Sequence, residues 1–228
     1  MDMMTRYLSD AEQQALLRAA RGSSDPLARR DYHWMRLLIG TGMRVNEFAL
    51  LSAAQAEAAL ATGWLVVQPQ QRKGGKRGHE YLVTQGVRED LQALLQLQRE
   101  PALRTLPDGP PPLVWGRSLD GMYAPPLSVR SYQARLKLWV KAAGLDARIS
   151  PHWLRHTRAL NIMRRSRGRN PLQVVKTALG HESIASTGIY TRMCREEYVR
   201  ELQAVDGRRV SKAAARRLAA SAASGAAA

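Results

Sequence analysis

The chain has 228 residues, 45% of them hydrophobic, which is enough for one sizeable domain with a real core or for two small ones. Its 35 Lys and Arg against 19 Asp and Glu leave a formal charge of +16, the footprint of a polyanion binder, so nucleic acid leads the candidate partners. A single cysteine, Cys194, excludes an internal disulfide framework and any cysteine-cluster metal site. No apolar run approaches the roughly 18 residues of a membrane span, and residues 1–6 carry no signal-like apolar core, so a cytoplasmic protein is expected, with no membrane partner.

Ser9-Asp10-Ala11-Glu12 has capping-box spacing, and Leu16, Leu17 and Ala20 follow at helical intervals, which predicts a helix from Ser9 that stops at Gly22-Ser23-Ser24. Asp25-Pro26 restarts a helix, with Asp as N-cap and Trp34, Leu37, Leu38 and Ile39 on the apolar face, until Gly40-Thr41-Gly42 interrupts it. A short helical segment is predicted over 44–51. Trp64-Leu65-Val66-Val67, between Gly63 and Pro69, reads as a strand; Tyr81-Leu82-Val83 returns as its partner in a hairpin with a cationic tip over 72–77, around Gly74-Gly75. Helical patterns resume over 87–98, a proline-rich loop covers 101–112, and further helices are predicted over 128–143 and 152–163, after the Asn170-Pro171 cap, and over 183–190. The fold class is mainly α with one small β-hairpin, α+β: one domain over 1–205, then a basic, Ala-rich tail over 206–228 that is expected to be flexible.

Four short motifs stand in an informative order: Gly42-Met43-Arg44-Val45-Asn46-Glu47, Arg72-Lys73-Gly74-Gly75-Lys76, His152-Trp153-Leu154-Arg155-His156, and Leu179-Gly180-His181 with Tyr190 nine residues on. Together they resemble the tyrosine recombinase, or phage integrase, family, from about Tyr7 to about Leu202. The most specific portion is 151–190, where H-x-L-R-H, L-G-H and I-Y-T fall at the family's spacing.

Opening a phosphodiester means handling negative charge, and two arginines each offer a planar fork of donors to nonbridging phosphate oxygens. Arg44 and Arg155 are the candidates. Donors aimed at charge that grows in a transition state lower a barrier by roughly 3 to 4 kcal/mol each in a site shielded from water. Glu47 lies three residues after Arg44, so one helical turn lets its carboxylate orient the guanidinium, although it reads equally as an ordinary exposed helix acid. A tyrosine hydroxyl, with pKa near 10, needs a base or surrounding cations to act as a nucleophile.

The resemblance implies the catalytic-domain fold of DNA breaking-rejoining enzymes, with Tyr190 attacking DNA to leave a 3'-phosphotyrosyl link, and no metal, ATP or other cofactor. It assigns Lys73 as the acid for the leaving 5' hydroxyl, with Lys76 competing; it matches His152 to a histidine that assists proton transfer and His181 to one that donates to a nonbridging oxygen. Arg72, Lys76, Arg77 and Arg158 are taken as DNA contacts and His156 as structural. Tyr81 and Tyr198 compete with Tyr190 for the nucleophile role. His152 and His156 stand four apart, as metal ligands on a helix do, but the intervening Arg155 argues against a cation.

Only 43 residues precede Arg44, whereas most family members carry an N-terminal DNA clamp; the chain is expected to be complete and to lack it. The implied partners are therefore double-stranded DNA, further copies of the chain in a dimer or tetramer joined through the amphipathic stretch 195–205, and an accessory protein in place of the clamp. A DNA-binding regulator that keeps the fold without strand transfer is the alternative, and the intact set of six catalytic candidates argues against it.

Overall fold

The computed structural model describes residues 6–25, 27–72, 74, 77–99, 111–116, 126–167 and 170–180. Helix α1, Asp10–Arg21, starts as its capping box requires: Ser9 Oγ accepts from the Glu12 amide, and Glu12 accepts from the Ser9 amide at 2.7 Å. Asp25 behaves differently from expectation. Its carboxylate caps the Leu27 amide at 2.8 Å, one turn ahead of α2, Ala28–Thr41. That helix also runs through Gly40, where an interruption was expected, and ends only at Gly42, whose φ of 71° is the left-handed conformation glycine tolerates.

Helix α2 buries Trp34, Met35, Leu37 and Leu38 and packs against α1, α5 (Gln85–Gln98) and α7 (Pro151–Arg165). It also buries a charge. Asp31, wholly inaccessible, accepts from both Trp34 and Trp139 Nε1 at 2.9 Å, from Arg30 at 2.7 Å and from Arg135, so α2 is fastened to α6, Val129–Ala142. A buried carboxylate is tolerable only with this many donors.

Helix α3 is shorter than the expected 44–51 and comprises Val45–Phe48. The sequence reading passed over α4, Ala53–Thr62, although Ser52 and Gln55 form a capping box and Gly63 ends the helix at φ 82°. Strand β1, Trp64–Val67, pairs antiparallel with β2, His79–Leu82, in the register Trp64↔Leu82 to Val67↔His79. The hairpin is as expected, with its second strand displaced toward His79. Of the proline-rich segment, residues 111–112 are described, and they lie along the chain that enters α4. Helix α8, Pro171–Leu179, has Asn170 accepting from the Gln173 amide as N-cap and Gly180, φ 64°, as C-cap. Among the described residues no helix is long and apolar enough to cross a membrane.

Candidate active site

The turn after α2 brings Arg44 to the protein's interior edge. A side chain at Gly42 would collide with Leu179 and Arg158, so glycine there lets α7 and the end of α8 close on the Met43-Arg44 turn. Arg44 keeps extended backbone, its amide donating to Glu47 Oε2 at 3.2 Å and its Nη1 to Oε1 at 2.9 Å. Glu47 is buried, not the exposed helix acid that was the alternative. It also accepts from Arg72 Nε at 3.2 Å and the Tyr81 hydroxyl at 2.9 Å.

Burial alone would push the Glu47 carboxyl up. The Tyr81 hydroxyl together with the fork and charge of Arg44 outweighs burial and holds it below the usual glutamate range. The same contact acts on Tyr81 in reverse, because burial and then the neighbouring carboxylate push its phenol far up. Tyr81 is therefore held protonated and engaged with Glu47.

Arg155 is buried at 2% exposure. Its Nη1 donates to the Gly42 carbonyl at 2.7 Å and its Nη2 to the Leu179 carbonyl at 2.8 Å, so one guanidinium joins the ends of α2 and α8. Arg44, His152 and Arg155 line a single cavity of about 130 Å³, to which Gln133 and Ser150 add neutral polar groups. Cavities for drug-sized ligands span roughly 300–1,000 Å³, so this one suits a single small anionic group. Gln133 and Ser150 were missed by sequence reasoning; Ser150, just before Pro151, carried a helix-start signal, and Gln133 carried none.

Partial burial, and then the cations Arg155 and Arg44, hold the His152 imidazole below its ordinary value, although its ring remains open to solvent. A neutral imidazole at neutral pH can accept a proton. The buried His156 ring meets it edge to face at 4.4 Å, in keeping with a structural role. Among the described residues no group of three or more His, Cys, Asp or Glu is placed to hold a metal.

The expected DNA contacts divide. Arg77 is exposed. Arg72 turns inward, 10% exposed, and donates to Glu47, to the Arg77 carbonyl at 3.1 Å and to the Gly180 carbonyl at 3.1 Å. Arg158 is half-buried against a different cavity of about 400 Å³, with Trp64, Leu82 and Val174, where its Nε has no hydrogen-bond partner. Burial, and then the nearby Arg165, pull its pKa down. Lys73, Lys76, His181, Tyr190 and Tyr198, like the expected 183–190 helix and the tail, lie outside the described residues.

The sequence model of the phage integrase family matches residues 6–197. Tyrosine recombinase XerC of Neisseria meningitidis serogroup B is 34% identical over 169 residues, which cover 74% of this chain and 50% of that protein. The chain thus spans about half the length of that relative. The crystal structure of XerA recombinase superposes with a TM-score of 0.65 at 24% identity, covering 88% of this chain and 65% of that one. A structure of XerH site-specific recombinase bound to difH substrate gives 0.62 at 20% identity, covering 85% and 52% respectively. These two likenesses concern the fold, a mainly helical domain with a small antiparallel sheet.

Proposed function

Because the chain belongs to the phage integrase family, we propose that it is a site-specific DNA recombinase that cuts and rejoins double-stranded DNA through a 3'-phosphotyrosyl intermediate, with Tyr190 as nucleophile and with neither metal nor ATP. The observation that carries this reading is the cavity lined by Arg44, Arg155 and His152, two cations and a neutral imidazole around space for one anionic group. XerH, similar in fold, is a recombinase bound to its DNA substrate, which supports DNA as the partner here.

In this mechanism the scissile phosphate lies against Arg44 and Arg155, and His181 adds a donor to a nonbridging oxygen. The Tyr190 oxygen attacks phosphorus and its proton passes to neutral His152, while the bond to the 5' oxygen breaks and that oxygen takes a proton from Lys73. Charge that grows on the nonbridging oxygens meets donors already fixed by the fold, an advantage of roughly 3 to 4 kcal/mol for each well-placed group. The phosphotyrosyl ester keeps the energy of the broken bond, so the 5' hydroxyl of a second strand reverses the step and completes the exchange. Catalysis belongs to residues 1–205. Retention on DNA comes from basic groups such as Arg77 and from assembly of two or four protomers, with 195–205 as the contact between them and an accessory protein as a further component.

The test uses a duplex that the full chain binds in a salt-sensitive manner, nicked beside the scissile phosphate so that cleavage cannot reverse. Wild type is expected to give a covalent protein–DNA adduct on a denaturing gel in the presence of a chelator and without ATP, and Tyr190→Phe to give none. Binding without any adduct, or an adduct that persists in Tyr190→Phe, overturns the proposal.

A further inference from the structure

We propose that Arg72 and His79 are positioning residues that couple the lysine-bearing hairpin to the turn that precedes His181; the inference rests on the recombinase reading above. A helix leaves its last carbonyls without intrahelical partners. At the end of α8 three successive carbonyls are each met by a side chain from elsewhere in the fold. His79 Nε2, from β2, lies 3.2 Å from the Ala178 oxygen; Arg155 Nη2, from α7, is 2.8 Å from Leu179; Arg72 Nη2, from the hairpin loop, is 3.1 Å from Gly180. Cationic donors at a helix C-terminus also complement its dipole.

Arg72 is the widest of these ties. Its Nη1 donates to the Arg77 carbonyl across the hairpin loop, its Nε to Glu47, and its Nη2 to Gly180, so every nitrogen of the guanidinium is engaged within the fold. Glu47 is the carboxylate that holds Arg44. Lys73 is the next residue after Arg72 in sequence, and His181 the next after Gly180. One guanidinium, on the residue before Lys73, therefore ties the carboxylate that holds Arg44 to the residue before His181.

His79 secures the same junction from its other side. Its ring packs edge-on against Tyr81 at 4.5 Å and lies so close to Gly180 that a Cβ there would be 2.8 Å from Nδ1. The glycine is thus required twice, for its φ of 64° and for the approach of the imidazole. Arg72 is 10% exposed and spends its guanidinium on Glu47 and on the carbonyls of the hairpin loop and the α8 end. Its work is within the fold, so its loss should slow chemistry and leave affinity intact.

The test measures single-turnover cleavage of the nicked duplex at saturating protein, alongside DNA affinity as a function of salt, for the full chain and for Arg72→Lys, Arg72→Gln and His79→Ala. Arg72→Lys keeps the charge but not the fork, and it is expected to bind like wild type and cleave about 10- to 100-fold more slowly. Arg72→Gln should leave the salt slope unchanged, and adding His79→Ala to Arg72→Lys should cost less than the product of the two single losses. Should melting show either Arg72 variant unfolded at the assay temperature, His79→Ala alone is expected to slow cleavage without changing affinity. Wild-type cleavage rates in Arg72→Lys and His79→Ala overturn the coupling and leave the recombinase reading standing. So does a loss confined to affinity with a salt slope lowered by about 1 in Arg72→Gln, the mark of a phosphate contact. A wild type that forms no adduct overturns both.

Discussion

Glu47→Gln removes one buried negative charge and leaves all its partners in place. The side chain is 1% exposed, and four donors converge on it: Arg44 Nη1 at 2.9 Å, the Tyr81 hydroxyl at 2.9 Å, and Arg72 Nε and the Arg44 amide at 3.2 Å. Removing one partner of a buried ion pair costs roughly 3–5 kcal/mol. The amide preserves shape and one acceptor oxygen but turns an NH₂ group toward donors, so a loss near the lower limit, about 3 kcal/mol, is expected. For a domain of this size each kcal/mol shifts Tm by roughly 2–4 °C, which gives a fall of about 6–12 °C in a circular-dichroism melt.

The pH dependence of that fall is a second reading of the same charge. The folded carboxyl titrates below its ordinary value of 4.5, so its stabilisation is complete above that value and is lost as pH falls through the lower, folded value. The gap between wild-type and Glu47→Gln melting curves should accordingly be full at neutral pH and close in acid. A variant that melts within about 2 °C of wild type at pH 7 would refute the argument that this carboxylate is ionised and jointly held.

Three further outcomes follow from the same geometry. Tyr81→Phe deletes one hydrogen bond to a charged acceptor and should lower stability by about 1.5–3 kcal/mol while still forming the DNA adduct; loss of the adduct in a folded protein would return Tyr81 to the catalytic candidates. Gly180→Ala meets both a positive φ and the His79 ring, so it should destabilise by at least about 1 kcal/mol and slow cleavage in the fraction that remains folded, and wild-type melting and cleavage would contradict the close approach. The His152 ring should titrate below 6.5 in an NMR pH series of the free chain, and Arg44→Ala should raise its midpoint by removing a nearby cation; an unchanged midpoint would mean the two groups do not share the cavity.

Much of this arrangement is legible in short stretches of sequence, because caps, turns and strand pairs are local chemistry. Ser9 with Glu12, Asn170 with Pro171, and the left-handed glycines at 42 and 180 announce helix ends, and Arg44 with Glu47 is legible as a pair one helical turn apart. Helix α4 was legible too, through Ser52, Gln55 and Gly63, but its run of alanines hides the period that marks an amphipathic helix. What was not legible is the direction in which a long cation points. Arg72 sits in a basic tip that reads as a DNA grip, yet its partners are Glu47 and Gly180, 25 and 108 residues away. Arg158 follows the H-x-L-R-H motif closely and still faces a separate cavity, because its position on α7 turns it toward Trp64 and Val174. His79 carries no local signal, since its role exists only where the hairpin meets the end of α8.

Peptide mapping of the covalent adduct identifies the atom that joins to DNA. Trypsin separates the candidates cleanly: Tyr190 falls in the peptide 177–192 and Tyr198 in 196–200. After nuclease trimming, mass spectrometry is predicted to find the nucleotide remnant, attached through its 3' phosphate, on 177–192 alone. A remnant on 196–200, on any other peptide, or attached through a 5' phosphate would contradict the account.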